Sequence, residues 1–391
     1  MKILLEDTIP FGRNYLDDVG DVTTYAWQSL KPEDLQHTNI LALRSTTKVT
    51  PELLANAKHL SFVTTATAGT NHLDKDYLSN ANIGFNSAAG CNAVAVAEYV
   101  LSVMLHAHVA GKVDLNTATV GIVGAGNVGS ALSRILSALN ITHLLCDPPL
   151  DEAGDSRRFS SLNEIANCDV ISLHVPYVKT GAHPTGHLIA QDFLAALSSE
   201  QMLINACRGE VIDEGALLAR LKQDNAPTVV LDVFNNEPNI DTRLFDYAWF
   251  VTPHIAGHSV EGKVRGTQMI YEQICEVVGV KATKSLDDFL ESTSPISAEL
   301  NFEQNEKLMF EDLAKVFHQV YDISIDDKLT RRAMTQYDSE ALHNKGAIFA
   351  SLRKQYRVRR ECSAYTLMLS RDTSKNIQNT FSALGFTVQL V

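Results

Sequence analysis

A chain of 391 residues is long enough for two or three domains at roughly 150 residues each, and it can bury a core without disulfide or metal staples. Hydrophobic residues make up 45% and charged residues 20%, ordinary globular values that exclude wholesale disorder. The formal charge of −13 disfavours nucleic acid as a partner, so an anionic ligand has to be held by a local cluster working against the overall field. The longest uncharged runs, Tyr77 to Ala97 and Leu115 to Ser133, are broken by Gly, Asn, Ser and Thr, so no membrane span is expected. The opening MKILLED is far short of a signal-peptide core. The six cysteines are scattered without a CxxC pair and read as reduced, mostly buried thiols of a cytoplasmic protein.

In chain order, Lys2–Leu5, Val22–Ala26, Ile40–Leu43, Ser61–Thr65 and Ile83–Asn86 read as strands. Phe11–Val19, Pro32–Gln36, Pro51–Ala57 and Lys75–Asn80 between them carry helix starters and formers. Such alternation predicts a parallel sheet covered on both faces. A long helix with few charges follows over Ala93–Val109 and is expected to be buried. Val120–Val123, Leu144–Asp147, Asp169–Val175, Met202–Ala206, Val229–Val233 and Phe250–Thr252 then supply six strands in series, which suits a doubly wound nucleotide-binding domain. Thr283–Asn305, polar and acidic with Pro295, reads as a surface linker. Beyond it, helical patterns at Glu306–Tyr321 and Ser339–Tyr356 precede a strand–helix–strand unit at Ser363–Leu369, Thr373–Leu384 and Phe386–Val391. The cations of Arg353–Arg360 read as a solvated helix face.

The strongest local signal is TVGIVGAGNVGSALSRIL. A strand runs into Gly124-Ala125-Gly126-Asn127-Val128-Gly129, which fits GxGxxG, and a helix follows with Val128, Leu132, Ile135, Leu136 and Leu139 on one face. Gly124 permits the tight turn, Gly126 the approach of a pyrophosphate, and Gly129 close helix–strand packing, with the pyrophosphate on the free N–H groups of the helix start. Asp147, ending the next strand about 20 residues on, suits ribose hydroxyls and repels a 2′-phosphate, which points to NAD rather than NADP. Gly111-Lys112 is followed by Val113, so a P-loop is excluded.

Three further motifs fall at the ends of later strands: NACRGEVIDEGAL with Arg208, LDVFNNEP with Asp232 and Glu237, and TPHIAGHS with His254. Alcohol oxidation by hydride transfer needs a base for the hydroxyl proton, and the reference pKa of His, about 6.5, suits it. A carboxylate beside that base orients it, a role open to Glu237, while Arg208 offers a planar fork matched to a carboxylate. Arg208 could equally pair with Glu210 or Asp213. His254 and His258 are four apart, but Ala256-Gly257 between them suits a loop and no third ligand stands at metal-site spacing, so no metal is expected. Cys207 lacks a catalytic base nearby in sequence and reads as a small packed side chain.

In order and spacing, GAGNVG, Asp147, NACRG, LDVFNNEP and TPHIAG resemble the motifs of the D-isomer-specific 2-hydroxyacid dehydrogenases, over roughly residues 1–281. The resemblance implies an α/β protein with two doubly wound parallel-sheet domains: a flavodoxin-like substrate domain from 1–95 with 259–281, and a Rossmann-type NAD domain at 96–258. A small α+β C-terminal domain at 282–391 is expected to form a homodimer. The implied roles are His254 as acid/base, Glu237 as its partner and Arg208 as anchor of the substrate carboxylate and carbonyl. Asp147 would bind the ribose and Asp232 the nicotinamide carboxamide side. Gly124, Gly126, Asn127, Val128, Gly129, Pro176, Ala206, Cys207 and Gly257 would face the cofactor, and Ser45 and Thr67 the substrate. His258 stands where the family usually has Tyr and is assigned the same substrate contact. Finer features (MKILLED, LRSTTKV, TATAGTNHLD, AAGCNAVAVAEYV, CDPP, HIAGHSVEGKVRGT, and VYDI and RREC near the end) resemble one branch of the family, which implies a small phosphorylated hydroxyacid as substrate. Arg44, Ser45 and Lys48 are candidates for its phosphate, because LRSTTK clusters donors just after a strand. A family member acting on 3-phosphoglycerate and a non-enzymatic NAD-sensing protein are the rival readings.

Overall fold

The computed structural model describes residues 1–297, 308–335 and 344–391, and the chain divides into two compact units, 1–92 with 259–292 and 93–258 with 293–391. The first unit is built on β1 (Lys2–Glu6), β2 (Asp21–Tyr25), β3 (Ile40–Leu43), β4 (Phe62–Thr65) and β5 (Gly84–Ser87), all parallel, in the order β2-β1-β3-β4-β5. Alternation along each strand feeds two cores. Ile3, Leu5, Ile40, Ala42 and Phe62 face Tyr15, Ile270, Tyr271 and Ile274 on one side. Leu4, Leu41, Leu43 and Val63 face Leu35, Leu54 and Leu78 on the other.

The helix that covers the first of those faces, Val260–Val278, has no counterpart among the expected elements. Its signals are nonetheless present in the sequence. The Ser259 hydroxyl caps it by accepting the Gly262 N–H at 2.9 Å, and Gly279 ends it at φ 79°. Elsewhere the first unit departs in detail: Pro32–Leu35 is a 3-10 turn and the helix near residue 11 spans only Gly12–Leu16. Pro51–Ala57 forms successive turns instead of a helix, with Ala55 N–H on Glu52 O and Ala57 N–H on Leu54 O.

The second unit carries β6 (Thr119–Val123), β7 (Thr142–Cys146), β8 (Val170–Leu173), β9 (Met202–Asn205), β10 (Thr228–Leu231) and β11 (Phe250–Val251), again parallel, in the order β11-β10-β9-β8-β6-β7. The order reverses between β6 and β8, the point at which an open α/β sheet binds its ligand. Helix Ala93–Val109 is apolar all round and is buried accordingly, packed in this unit with Leu132, Leu136, Leu313 and Phe317. Helices Phe310–Val320 and Ile323–Thr335 follow, the second unanticipated by the sequence reading; its Asp327 accepts the Val251 N–H at 2.8 Å and so caps the exposed edge of β11.

The final sheet joins β12 (Ile296–Ser297), β13 (Thr366–Leu369) and β14 (Thr387–Leu390), all parallel, with helix Lys375–Ala383 as the crossover between the last two. The segment read as a linker therefore contributes a strand; residues 298–307, and residues 336–343 at the start of the second expected helix, lie outside the described residues. All six cysteines are buried and unbridged. No helix among the described residues is long and apolar enough to cross a membrane.

The basic run at 353–360 corrects its reading as a solvated helix face. The helix ends at Lys354, Arg357 reaches Asp326 at 3.0 Å, and Arg359 is wholly buried. Its guanidinium lies 3.6 Å from the ring centre of Tyr321 and donates to Ala256 O at 3.0 Å and Ala95 O at 2.7 Å, with Glu98 3.8 Å away. Burial, reinforced by Glu361, pushes the Glu98 carboxyl well above the usual range. Removing this cation leaves buried acceptors unmet, so Arg359→Met should cost about 3 kcal/mol or more in denaturant unfolding. A loss below about 1 kcal/mol would show that the site relaxes without it.

Candidate active site

Every site residue anticipated in the second unit lies at the carboxyl edge of its sheet. Gly124 follows β6, Asp147 follows β7, Pro176 lies beyond β8, Arg208 beyond β9, Asp232 and Glu237 beyond β10, and His254 beyond β11. The three glycines divide by physical cause. Gly124 has φ 93°, and a Cβ there would lie 2.6 Å from His174 O. A Cβ on Gly129 would lie 2.0 Å from Gly124 O, so the helix can approach the strand only without one. Around Gly126, by contrast, nothing lies within 4 Å of an added Cβ. The fold itself requires the first and third glycines, whereas the open space at the middle one suits a ligand's close approach. Asp147 accepts the Ala125 N–H at 2.8 Å and that of Leu150 at 3.2 Å, so its carboxylate orders the glycine loop. Arg157, unanticipated, donates to Ala125 O at 2.9 Å and Ser130 Oγ at 2.8 Å while bound to both oxygens of Asp155.

Beyond β10 and β11 two turns are bound together. Asp232, 1% exposed, accepts Thr252 Oγ–H at 2.6 Å and Ile255 N–H at 2.8 Å, and its second oxygen accepts Ala256 N–H at 2.9 Å. The His254 N–H binds Asp232 O at 2.7 Å. These bonds hold His254 at φ 58°, a left-handed conformation that a non-glycine residue keeps only when its surroundings enforce it. Burial pushes the Asp232 carboxyl up despite these donors.

His254 Nδ1 meets Glu237 Oε2 at 2.7 Å, and Glu237 Oε1 accepts the Phe234 N–H at 2.9 Å. Burial raises the Glu237 carboxyl, but its hydrogen bonds and the His254 charge outweigh that and bring it below its ordinary value. An ionised carboxylate only accepts, so Nδ1 carries the proton. Nε2, without a hydrogen-bond partner among the described residues, is then the basic nitrogen of the neutral ring.

Arg208 is half-buried between two fixed neighbours. Cys207 is buried, its N–H and thiol both on Asn205 Oδ1 at 3.2 Å, and a Cβ on Gly209 would lie 2.0 Å from the Phe234 carbonyl carbon. The guanidinium donates to Cys207 O at 2.6 Å; among the described residues it pairs with no carboxylate, and Asp213 instead caps helix Glu214–Leu221. Burial pushes the Cys207 thiol up to about 11, which removes it as a nucleophile. Ala206 and Gly257 are half-buried, Pro176 O accepts Thr185 Oγ–H at 2.6 Å, and the His258 ring stands edge-on to Tyr356.

In the first unit, Ser45 and Lys48 are exposed beyond β3, and Thr67, beyond β4, shares a 2.8 Å hydroxyl contact with Thr65. Two further groups escaped the sequence reading. His174 sits against the glycine turn with Nε2 on Ser172 at 2.9 Å, and burial pulls it down to about 3, so it stays neutral. Glu214 accepts the Asn235 N–H at 2.7 Å, and burial, with Asp241, Glu237 and Glu210 adding, pushes it up to about 7.

Residues 101–256 match the family model described as D-isomer specific 2-hydroxyacid dehydrogenase, NAD binding domain, and residues 294–385 match a domain of unknown function. The chain is similar to the erythronate-4-phosphate dehydrogenases of Marinobacter nauticus (43% identical, covering 100% of both chains) and Pseudoalteromonas atlantica (45% identical, covering 94% of this chain and 95% of the other). In fold it resembles a D-lactate dehydrogenase from Aquifex aeolicus complexed with NAD and lactic acid (TM-score 0.56, 24% identity, 71% of this chain and 96% of that one). It also resembles an NAD⁺-bound 3-phosphoglycerate dehydrogenase of Entamoeba histolytica (TM-score 0.58, 22% identity, 73% and 99%). The chain belongs to the erythronate-4-phosphate dehydrogenase family, within the D-isomer-specific 2-hydroxyacid dehydrogenases.

Two tests follow from the site. Gly126→Ala should melt close to the parent protein yet bind NAD at least about tenfold more weakly, whereas Gly129→Ala should lower Tm outright; equal Tm losses would remove the distinction. Glu214 binds its proton more tightly folded than unfolded between its ordinary value of 4.5 and about 7, so stability falls as pH rises through that window. Glu214→Gln keeps the acceptor for Asn235 and should flatten the fall, measured as Tm from pH 4.5 to 8. An unchanged slope would place the titration elsewhere.

Proposed function

We propose that the protein oxidises 4-phospho-D-erythronate with NAD⁺ to 2-oxo-3-hydroxy-4-phosphobutanoate, as a cytoplasmic enzyme of vitamin B6 biosynthesis. The observation that carries this reading is the 2.7 Å contact of His254 Nδ1 with Glu237, which leaves Nε2 as a base on the turn beside those bearing Asp232 and Glu237. The full-length similarity to enzymes named for that substrate supports the choice of hydroxyacid.

NAD, when bound, supplies the hydride acceptor, and the open space at Gly126, the helix start behind it and Asp147 fit its pyrophosphate and ribose. Asn127, Val128 and the backbone at Pro176, Ala206, Cys207 and Gly257 line it. As the substrate's C–H hydrogen leaves as hydride, its O–H proton passes to His254 Nε2 and the C–O bond becomes C=O. Glu237, held below its ordinary pKa, stabilises the imidazolium that forms. Arg208, with no carboxylate of its own among the described residues, takes the substrate carboxylate and the developing carbonyl. In this reading Asp232, its own carboxylate bound to Thr252, Ile255 and Ala256, would support the turn on the nicotinamide carboxamide side, and Ser45, Thr67 and His258 would be the substrate contacts. We further propose a homodimer through residues 282–391, supported by the exposed apolar side chains of Ile325, Leu329 and Val358. Six unbridged cysteines agree with a reducing compartment.

NADH fluorescence, with a ketone trap to draw the equilibrium forward, tests the substrate. Turnover of 4-phosphoerythronate should exceed that of 3-phosphoglycerate, and the reverse would keep the chemistry but change the substrate. His254→Ala should lower kcat by roughly 10²- to 10⁴-fold with NADH affinity unchanged, and retained activity would sink the acid/base role.

A further inference from the structure

The first unit has its own reversal of strand order, between β1 and β3, and the segments leaving those two strands carry an unusual concentration of polar groups. Glu6, the last residue of β1, is completely buried. One of its oxygens accepts Thr8 Oγ–H at 2.6 Å and Thr46 Oγ–H at 2.5 Å, and the other accepts Thr47 Oγ–H at 2.7 Å and Arg44 N–H at 2.9 Å. These bonds overcome burial and keep its carboxyl below the usual value. A single anion thereby fixes the Arg44–Thr47 turn, with its charge already saturated by donors.

Two cations gather over the same segment. The Arg44 guanidinium donates to Thr8 O at 3.2 Å. Thr267 of helix Val260–Val278 donates to Pro10 O at 2.9 Å, and Lys263 lies one turn before it, towards the helix start, on the same face. Burial first, then the neighbouring Arg44 charge, pulls the Lys263 ammonium below its ordinary pKa, and burial does the same to Arg44. Among the described residues the Lys263 ammonium meets neither a carboxylate nor a hydrogen-bond acceptor. Lys48, the cation that the sequence suggested, is exposed instead.

Glu6 already offsets part of the Arg44 charge, whereas Lys263, pressed by Arg44, has no anion of its own among the described residues, so these two half-buried like charges beside a helix N-terminus favour an incoming anion. We infer that Arg44 and Lys263 form an anion subsite at the carboxyl edge of the first sheet, which takes the phosphate monoester of the substrate. The inference rests on the phosphohydroxyacid reading above. A dianion matches a guanidinium fork and an ammonium point charge together, and the substrate's single carboxylate is already assigned to Arg208. Glu6 is the positioning residue of this subsite, because it sets the turn from which Arg44 and Ser45 project.

The test uses Lys263→Met, which keeps the apolar stem and removes the charge. Without ligand the variant should melt at or above the wild-type temperature, since a like-charge contact is gone. Its KM for 4-phosphoerythronate should rise roughly 10- to 100-fold, with KM for NAD and kcat/KM for unphosphorylated erythronate within about twofold. Inorganic phosphate at millimolar concentration should raise the Tm of the wild type and not of the variant. Turnover of 4-phosphoerythronate with unchanged KM and unchanged phosphate protection in the variant would overturn the subsite and leave the substrate reading standing. A wild type inert towards every phosphorylated hydroxyacid, yet stabilised by phosphate through Lys263, would do the opposite.

Discussion

A carboxylate enclosed by protein has to be met by donors, and the way Asp232 is met determines the shape of the catalytic edge. Its two oxygens take the N–H groups of Ile255 and Ala256 and the Thr252 hydroxyl, and its carbonyl takes the His254 N–H. Four bonds from one residue leave the following turn no alternative path, so His254 is held in a left-handed conformation and its ring is presented to Glu237. The next peptide is also held. Ala256 donates its N–H to the buried Asp232 carboxyl, and its carbonyl accepts from the buried cation Arg359. Residue 359, deep in a segment matched only by a domain of unknown function, thus shares a hydrogen-bond network with the candidate base.

The two units solve related problems with different materials. In each, the parallel strands point their carboxyl ends at a reversal in strand order, where the segments leaving neighbouring strands part and free donors accumulate. At the β6–β8 reversal the donors are backbone N–H groups released by glycine, suited to a pyrophosphate. At the β1–β3 reversal they are side chains, arranged by a carboxylate that carries no free capacity of its own. Half-buried cations are tolerable in a strongly acidic protein because the wider field favours them, and their local environment does not.

What could be read from the sequence was local. Strands with apolar runs, helix Ala93–Val109 and the glycine turn all announce themselves in one continuous stretch of chain, and the structure places them as expected. Arg208, Glu237 and His254 were legible as residue types at strand ends, although the contact of Glu237 with His254 spans 17 positions. Two of the groups that escaped depend on still longer reach. Glu6 acts on a turn 38 residues away and Arg359 on a carbonyl 103 residues away, and neither has a local signature. β12 escaped because a two-residue strand in a polar segment gains its identity only from its partner β13. Helix Val260–Val278 is different in kind: its Ser259 cap and its terminal Gly279 are both local signals.

The distribution of thiols gives this molecule an internal clock for its own opening. Cys91 and Cys275 lie in the first unit, and Cys146, Cys168, Cys207 and Cys362 in the second, every one of them buried. Burial pushes Cys146, Cys168 and Cys207 up to about 11 and raises Cys275 and Cys362, so these five present almost no thiolate to an alkylating reagent near neutral pH while folded. Modification then proceeds only as fast as each unit exposes its interior, and the labelled peptides record which unit opened.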